Sequence, residues 1–340
     1  MISSIKLTNF RKFSSLELDC NHKIIILTGA NASGKTSILE SIYLTSTSKS
    51  HRTNELDHLI LQNEPYAKVE IKANSQYQVV LSKEGRTNSI NGIVYSKLSD
   101  FIGRLNVILF SPQDVELLRG SKGIRRHFLD LQISLIDKSY LRLISEYKHL
   151  LKERNEVLKQ NNCDTALLEI LTKQLVEKME PIIEKRISFL NELNIHLKEV
   201  TSVLECEQIN LQYKPTYQLE NILQSFSAKI ALDKMSKTTN IGVHRDDFLI
   251  EINGADGRNF SSEGQTRNAV LAIHLALKQL YEKKNKEIIL LLDDVFASMD
   301  QKRINHIMKY IKKEQQTWIT TTSLFNIPDE LLKDAKIIKL

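Results

Sequence analysis

Apolar positions along the chain follow two different periods, and the change of period divides the sequence into three segments. Residues 1–119 contain short runs, of strand length, that are apolar or alternate between apolar and polar positions. Residues 238–340 show the same pattern. Residues 120–237 instead place apolar side chains every three or four positions from Ile124 to about Val203, which predicts long helices. The pattern therefore predicts an α/β unit, built from the first and third segments, that is interrupted by an inserted α-helical arm.

Individual runs predict the elements of this unit. Asn91-Gly92 is a hairpin turn signal because that turn needs positive φ at both central positions, and Asn253-Gly254 is a second turn signal. The predicted strands are Ser4–Thr8, Ser15–Leu18, Lys23–Leu27, Val69–Ala73, Gln78–Ser82, Thr87–Tyr95, Leu105–Phe110, Asp247–Ile252, Ile288–Leu292 and Trp318–Thr320. Helical spacing predicts helices at Ser37–Leu44, Asn268–Lys283 and Gln301–Lys312, with a turn at Asn161–Asp164 and a kink at Pro181 within the arm.

A phosphate-binding loop follows the predicted strand Lys23–Leu27. The stretch fits G-x-x-x-x-G-K-[ST], and it stands between a strand and a helix, as the motif requires. The glycines let the backbone N–H groups point at phosphate oxygens, Lys35 would reach the β- and γ-phosphates of ATP, and the Thr36 hydroxyl would hold Mg²⁺. The candidate ATP-binding residues are Gly29, Ala30, Asn31, Ala32, Ser33, Gly34, Lys35 and Thr36.

Two consecutive acids end the apolar run Ile288–Leu292. An acid at the carboxyl end of a buried strand is the second half of a P-loop site. Asp293 would position Mg²⁺ and its water, and Asp294 could polarise the attacking water. The alternative is that the acids only cap the strand end, but the upstream loop favours the catalytic interpretation.

A basic turn, Asn9-Phe10-Arg11-Lys12-Phe13, precedes the loop. Arg11 and Lys12 could contact the phosphate or base of the nucleotide, or they could be solvated turn residues. The residues alone leave both interpretations open, and Arg11 is retained as a candidate ATP-binding residue.

The composition is that of a protein of about two domains with a basic surface. The chain has 340 residues, a formal net charge of +6 and a pI near 9.0. The basic excess favours nucleic acid as a partner, although a surface kept basic for solubility explains the charge equally well. Cys20, Cys163 and Cys206 form no C-x-x-C pair, which disfavours a disulfide framework or a zinc site. We expect a cytoplasmic protein without a membrane partner, because no long apolar stretch or signal-peptide pattern is present.

Further motifs, in order, resemble the ATP-binding-cassette head. Ser262-Glu263-Gly264-Gln265 resembles its signature loop, Ser298-Met299-Asp300 resembles its D-loop, and Gln113 follows a predicted strand. In that family two heads enclose two ATP molecules, and the signature loop of one head contacts the γ-phosphate bound to the other. The resemblance implies that Ser262, Gly264 and Gln265 contact ATP held by a second copy, and that Gln113 contributes to Mg²⁺ binding and catalysis.

A closer resemblance, over essentially the whole chain, is to the RecF family of bacterial recombinational repair. It implies a nucleoid-associated DNA-binding ATPase that dimerises with ATP and acts with RecO and RecR to load RecA at gapped DNA. The expected partners are single- and double-stranded DNA, gapped or junction DNA in particular, a second copy of the chain, and RecR-like and RecO-like mediator proteins. The matching strings are Asn9-Phe10-Arg11, Phe110-Ser111-Pro112-Gln113-Asp114, Gly120-Ser121, Arg125-Arg126-His127-Phe128-Leu129-Asp130, His244-Arg245-Asp246-Asp247 and Thr320-Thr321-Thr322.

Two positions depart from the general cassette pattern. Asp294 stands where transporters usually have Glu, and Thr320-Thr321-Thr322 stands where a His usually follows the last apolar strand. Because the shorter carboxylate lies farther from the water, we expect slow hydrolysis, with ATP used as a dimer switch.

Three other hypotheses remain open at this point. An ABC transporter subunit would need a coupling surface for membrane partners, and an SMC-like chromosome ATPase would need far longer coiled coils. A nucleotide-gated scaffold that does not hydrolyse ATP would show the same motifs.

Overall fold

The computed structural model describes residues 1–53, 55–284, 286–298, 301–308, 310–311 and 315–340. Within these residues the chain forms two compact units. One unit consists of Met1–Asp114 and Leu277–Leu340, and the other consists of Val115–Ala276. The chain therefore leaves the first unit once and returns to it inside the helix Glu263–Lys283.

Strands and helices are numbered in chain order. The strands are β1 Ser4–Phe10, β2 Phe13–Asp19, β3 Ile24–Thr28, β4 Tyr66–Lys72, β5 Gln76–Ser82, β6 Gly85–Ile90, β7 Ile93–Tyr95, β8 Val107–Phe110, β9 Ile209–Lys214, β10 Asp247–Ile252, β11 Ala255–Asp256, β12 Ile289–Leu292, β13 Gln316–Thr321 and β14 Ala335–Lys339. The helices are α1 Lys35–Thr47, α2 Leu98–Phe101, α3 Glu116–Arg119, α4 Lys122–Ile136, α5 Lys138–Lys159, α6 Thr165–Leu204, α7 Ile222–Ser236, α8 Gly257–Phe260, α9 Glu263–Lys283, α10 Gln301–Met308 and α11 Asp329–Asp334.

A parallel sheet in the order β14-β3-β13-β12-β8 forms the centre of the first unit. Every residue of β3, β8, β12 and β13 is buried, as expected for a parallel sheet with both faces covered. Because β3, β13 and β12 run in the same direction, their carboxyl ends lie at one edge, with β13 in the middle. The chain segments that follow β3 and β12 therefore meet beside the end of β13.

Gln316 attaches the start of the chain to this sheet. Its buried side-chain amide accepts a hydrogen bond from the Ile2 N–H at 2.7 Å and donates to the carbonyls of Ile2, Cys20 and His22 at 2.8 to 3.0 Å. Trp318, two residues further along β13, has no exposed surface. The middle strand thus carries both a polar anchor and a large part of the apolar core.

An antiparallel sheet in the order β2-β1-β4-β5-β6-β7 completes the strands of the first unit. Asn91 and Gly92 have φ values of 51° and 80°, so the predicted hairpin turn between β6 and β7 is confirmed. The buried faces of this sheet and of α1 share one apolar cluster with β3, β8 and β12. The helix that follows the phosphate loop is therefore held by apolar packing on both sides.

The second unit contains the predicted helical arm. Helices α4, α5 and α6 cover the region that was predicted to be helical, and Asp137 and Asp164 cap α5 and α6 by accepting N–H bonds from their first turns. A small sheet in the order β11-β10-β9 belongs to the same unit. Charged side chains inside the unit are paired: Arg154 donates to Asp233 at 2.9 Å, and both are fully buried.

Strand β9 was not predicted, and it explains why the second unit extends beyond the predicted boundary at 237/238. The first boundary lies at 114/115, where the prediction was 119/120. β10 was assigned to the α/β unit, but it pairs with β9 along Ile209–Lys214 and so belongs to the second unit, which extends to Ala276. The alternation of buried and exposed residues in β9 is the signal that was missed. Helix α7 and strand β14 were also not predicted.

The structure tests three other predictions only in part. Helix α6 runs through Pro181 without ending, so a kink there stays a prediction. Helix α10 ends at Met308, whereas the sequence predicted a helix to Lys312, which lies outside the described residues. Met299 and Asp300 of the predicted D-loop also lie outside them.

Candidate nucleotide-binding site

The phosphate loop joins β3 to α1 and curls tightly. Gly34 has φ 106° and Ala32 has φ 63°, both in the left-handed region. A Cβ on Gly34 would collide with the ring of Phe13, and a Cβ on Gly29 would lie 2.6 Å from the carbonyl oxygen of Leu340. Both glycines are therefore required by the loop itself, apart from any ligand.

Lys35 folds back over the loop. Its Nζ donates to the carbonyls of Gly29 at 2.7 Å and Ala30 at 2.8 Å, and the residue is only 8% exposed. Lys12 donates to the carbonyl of Ala32 at 2.9 Å from the other side. Two ammonium groups thus lie against one short loop, and both are held there by neutral carbonyls that anionic phosphate oxygens could replace.

Asp293 connects three segments of the sheet edge. Its Oδ1 accepts hydrogen bonds from the hydroxyls of Thr36, at 3.0 Å, and Thr320, at 2.6 Å. The carboxylate is buried, since the residue is 6% exposed. The structure therefore brings together Thr36 and Asp293, two of the three residues that were predicted to hold Mg²⁺.

Asp294 is held in an unfavourable state. Its backbone has φ 52°, and its N–H donates to the Thr320 hydroxyl at 2.8 Å. Its Oδ1 is buried and has no hydrogen-bond partner among the described residues. Burial and the neighbouring Asp293 carboxylate raise the pKa of Asp294, while Lys35 partly offsets the effect. A non-glycine residue in this conformation with an unpaired buried oxygen is typical of a functional position.

Arg11 lies in an ion pair. Its Nε and one terminal nitrogen donate to the two carboxylate oxygens of the buried Glu40, at 2.8 and 2.6 Å, and the other terminal nitrogen donates to the carbonyl of His58 at 2.7 Å. Burial raises the pKa of Glu40, but the hydrogen bonds from Arg11 and Ser50 outweigh this and hold it below its ordinary value. Arg11 is thus fixed to α1, and its contact with ATP stays a prediction.

Gln113 and Ser298 each lie in a short 3-10 turn that follows a strand of the parallel sheet. Gln113 is exposed on the turn Pro112–Val115 that follows β8, and its roles in Mg²⁺ binding and catalysis stay predictions. Ser298 ends the turn Val295–Ser298. Among the described residues, no group of three or more His, Cys, Asp or Glu side chains could hold a metal ion.

The predicted signature loop belongs to the second unit, at the start of α9. Ser262 and Gln265 cap the helix reciprocally: the Ser262 N–H donates to Gln265 Oε1 at 2.8 Å, and the Gln265 N–H donates to Ser262 Oγ at 3.2 Å. Gly264 is exposed, and a Cβ there would meet no atom within 4 Å. Nothing in the described part of the chain explains a glycine at this first-turn position.

The sequence missed two features of the site. Thr320 was noted as part of a matching string and as a departure from a His, but no role was predicted for it. Its hydroxyl is the shared partner of Asp293 and Asp294. Glu40, which orients Arg11, was not singled out, although an acid on the apolar side of the loop helix was a usable signal. In the described residues no helix is both long and apolar enough to cross a membrane.

The loop, the aligned strands and the acids define a P-loop head of the SMC and ABC type. The family model of the RecF/RecN/SMC N-terminal domain matches residues 1–327. The chain is similar to the Smc head domain of Pyrococcus furiosus with a TM-score of 0.56 at 18% identity, over 99% of this chain and 92% of the other, which shows a shared fold. The predicted fold class, an α/β head with an inserted helical arm, is confirmed.

Relatives that match over nearly their whole length show which family within this class of P-loop heads the chain resembles. The DNA replication and repair protein RecF of Acholeplasma laidlawii is 37% identical over 96% of this chain and 95% of its own length, and that of Staphylococcus carnosus is 35% identical over 100% and 98%. A solved structure of the recombination mediator protein RecF with ATP, in the RecFOR pathway, has a TM-score of 0.90 at 29% identity, over 96% of this chain and 93% of that one.

The chain belongs to the RecF family of DNA replication and repair proteins. The resemblance seen in the sequence is thereby confirmed. It is favoured over the transporter and SMC-like hypotheses, because the matches to RecF proteins extend over nearly the whole length of both chains.

Thr320 should stabilise the site through its hydroxyl. Thr320→Val keeps the shape but leaves the Asp294 N–H and the Asp293 carboxylate each short of one bond, so we expect a loss of about 1–3 kcal/mol in the free energy of unfolding. Thr320→Ser, which keeps the hydroxyl, should cost about 1 kcal/mol or less. Thr317→Val is the matched control, because the buried Thr317 hydroxyl on the same strand has no hydrogen-bond partner in the described part of the chain. Urea titration measures all three, and equal losses for both valine variants would contradict the assignment.

Asp294→Asn should raise the melting temperature of the ligand-free protein near neutral pH. The folded-state pKa of Asp294 lies above its unfolded value, so the ionised group opposes folding. The gain should be present above the folded pKa and vanish as the pH falls below the unfolded value, about 4. Scanning calorimetry across this range measures it, with Glu84→Gln as the exposed control. An Asn variant that melts lower than wild type near neutral pH would refute the prediction.

Proposed function

We propose that the chain is an ATP-gated DNA-binding protein of recombinational repair, which binds ATP and Mg²⁺ at the end of β3 and dimerises around them. The carrying observation is the contact of Thr36 and Asp293 at the mouth of a glycine-constrained loop. A RecF structure with ATP among the similar proteins supports ATP as the nucleotide.

The loop residues have complementary roles in binding ATP. The N–H groups between Gly29 and Thr36 and the amino end of α1 would contact the phosphates. Lys35 would exchange its bonds with the loop carbonyls for bonds to phosphate oxygens, which are stronger because both partners are charged. The buried Lys35 is therefore already at the site and need not be desolvated again.

The donor set fits Mg²⁺. Mg²⁺ usually takes one or two protein oxygens and completes its shell with water and phosphate, and Thr36 with Asp293 offers one hydroxyl and one carboxylate 3.0 Å apart. Thr36 and Asp293 would hold the ion, which when bound would supply positive charge next to the phosphates of ATP. Thr36 and Asp293, which a hydrogen bond now joins, would then be joined through the ion.

Asp294 supports slow hydrolysis. Its unpaired Oδ1 is free to accept a hydrogen bond from an attacking water, and its raised pKa makes it a better proton acceptor than an ordinary Asp. Its short side chain and its dependence on Thr320 limit how closely it can approach that water. ATP is then consumed slowly, which suits a nucleotide that holds a dimer together until hydrolysis releases it.

The signature loop supports dimerisation. Ser262 is exposed, and a Cβ on Gly264 would meet no atom within 4 Å, so the first turn of α9 has room beside it for a large anion. A second copy of the chain would supply that anion as the γ-phosphate of its own ATP. Phe260, 75% exposed on the turn before Ser262, offers an apolar contact beside it.

DNA binding follows from dimerisation. The chain carries a net charge of +6, and a dimer carries twice as many basic residues on one particle, so its affinity for phosphate backbones should rise steeply. The RecFOR pathway named for the similar structures supports RecR-like and RecO-like proteins as partners. Single- and double-stranded DNA at gaps or junctions is the target that the family resemblance implies.

Lys35→Ala should weaken ATP binding about 100-fold or more, because the charge next to the phosphates is lost. Equilibrium titration with a fluorescent ATP analogue measures the dissociation constant. Lys23→Ala is the matched control, since Lys23 stands just before the opposite end of β3. An unchanged constant for Lys35→Ala would exclude the loop as the ATP site.

Gly264→Asp should separate folding from dimerisation. An acid in the first turn favours α9 by about 0.3–1 kcal/mol, so the monomer should be at least as stable as wild type. The same acid would repel the γ-phosphate of a second copy, so the ATP-dependent dimer should be lost, with weaker DNA binding and a shallower salt dependence.

Gly123→Asp, the same change in the first turn of α4, is the control. Sedimentation with ATP and salt titrations of DNA affinity measure both variants. A Gly264→Asp protein that stays monomeric and yet binds DNA like wild type would refute the hypothesis that DNA binding depends on the ATP-dependent dimer.

A further inference from the structure

Arg119, the last residue of α3, is an exposed cation with a fixed position. Its Nε and one terminal nitrogen lie within hydrogen-bond distance of Thr266 Oγ1, at 3.4 and 3.3 Å, and that nitrogen also donates to the carbonyl of Ser261 at 3.1 Å. Two neutral groups thus hold a guanidinium that would otherwise move freely.

Three other arginines of the second unit, Arg125, Arg258 and Arg267, are paired with carboxylates. Arg125 donates to both carboxylate oxygens of Asp247 at 2.7 and 3.0 Å. Salt bridges within the described residues also join Arg258 to Asp256 and Arg267 to Glu263. For Arg119 the described part of the chain offers no carboxylate within salt-bridge distance, so its charge remains available.

The groups that hold Arg119 also present the signature serine. The Thr266 hydroxyl donates to the carbonyl of Ser262 at 2.9 Å, and the Thr266 N–H donates to the same carbonyl at 2.9 Å. Arg119 and the exposed Ser262 therefore lie together at the amino end of the 21-residue helix α9, where the helix dipole adds partial positive charge. A fixed guanidinium at such a position is suited to a phosphoryl group, which it can bind with two parallel hydrogen bonds.

We propose that Arg119 binds the γ-phosphate of the ATP held by a second copy of the chain, alongside Ser262. This inference rests on the proposed function, and it adds to the ATP site a residue that lies outside every motif of the sequence analysis. Because Arg119 is anchored before the second copy arrives, little conformational entropy is lost on binding, and its charge contributes mainly to dimer affinity.

The competing explanation is that Arg119 only joins α3 to the start of α9. That role needs hydrogen-bond donors but no charge, so Arg119→Gln should serve it nearly as well as arginine does. Arg119→Lys keeps the positive charge but loses the planar guanidinium, which can donate two parallel hydrogen bonds. Arg267→Gln removes a cation that is already paired with Glu263 on the same helix, and so it is the matched control.

The test measures three quantities for each variant: the melting temperature, the ATP affinity of the dilute monomer, and ATP-dependent dimerisation by sedimentation. For Arg119→Gln we expect an unchanged melting temperature and monomer affinity, with dimerisation about tenfold or more weaker, because a charge-assisted bond is lost. Arg119→Lys should recover part of the loss, and Arg267→Gln should behave as wild type. Normal dimerisation of Arg119→Gln, or a fall in its monomer affinity for ATP, would overturn the inference.

Mixing two impaired variants tests the action across the dimer. In a mixed dimer of Arg119→Gln and Lys35→Ala, one site combines the intact loop of the first with the intact Arg119 of the second. We expect more ATP hydrolysis in the mixture than the two proteins show separately. No gain here, alongside a gain in the equivalent mixture of Gly264→Asp with Lys35→Ala, would overturn the assignment to the second copy. Failure of the proposed function itself is distinguishable, since wild type would then form no dimer with ATP.

Discussion

The Asp293 carboxylate accepts two hydroxyl hydrogen bonds from residues 257 and 27 positions away in the chain, and the rest of the nucleotide site depends on this contact. It exists because β3, β13 and β12 are parallel neighbours whose carboxyl ends coincide. Thr36 arrives from the helix after β3, and Thr320 stands near the end of β13. A change of strand order would separate these groups even if every motif in the sequence were retained.

Around this contact the site holds charges that only a ligand can satisfy. Lys35 rests on neutral carbonyls, while Asp294 keeps a buried oxygen unpaired in a left-handed backbone conformation. Both arrangements cost stability in the free protein, and both improve when phosphates and a divalent cation arrive. The same groups that weaken the empty site therefore supply its affinity, which is the expected trade between stability and function.

In the second unit, the surface at the start of α9 has its local hydrogen bonds satisfied, unlike the nucleotide site. The Ser262–Gln265 cap and the anchoring of Arg119 satisfy the local backbone, so the first turn of α9 is rigid and yet open. Gly264 contributes nothing to this rigidity. A surface that is fixed by its own hydrogen bonds but leaves a cation and a glycine exposed is complementary to an anion from another molecule.

The sequence by itself determined the phosphate loop, the acid pair after β12, the helical arm and the family. Each of these features depends on residues that are close together in the sequence, and their spacing reflects local backbone geometry. It did not reveal β9 or the extent of the second unit, since strand pairing depends on residues far apart in the chain. Thr320, Glu40 and Arg119 were likewise invisible as functional neighbours. Their importance comes from which groups the fold places within 3.5 Å of them, and only the tertiary structure decides that.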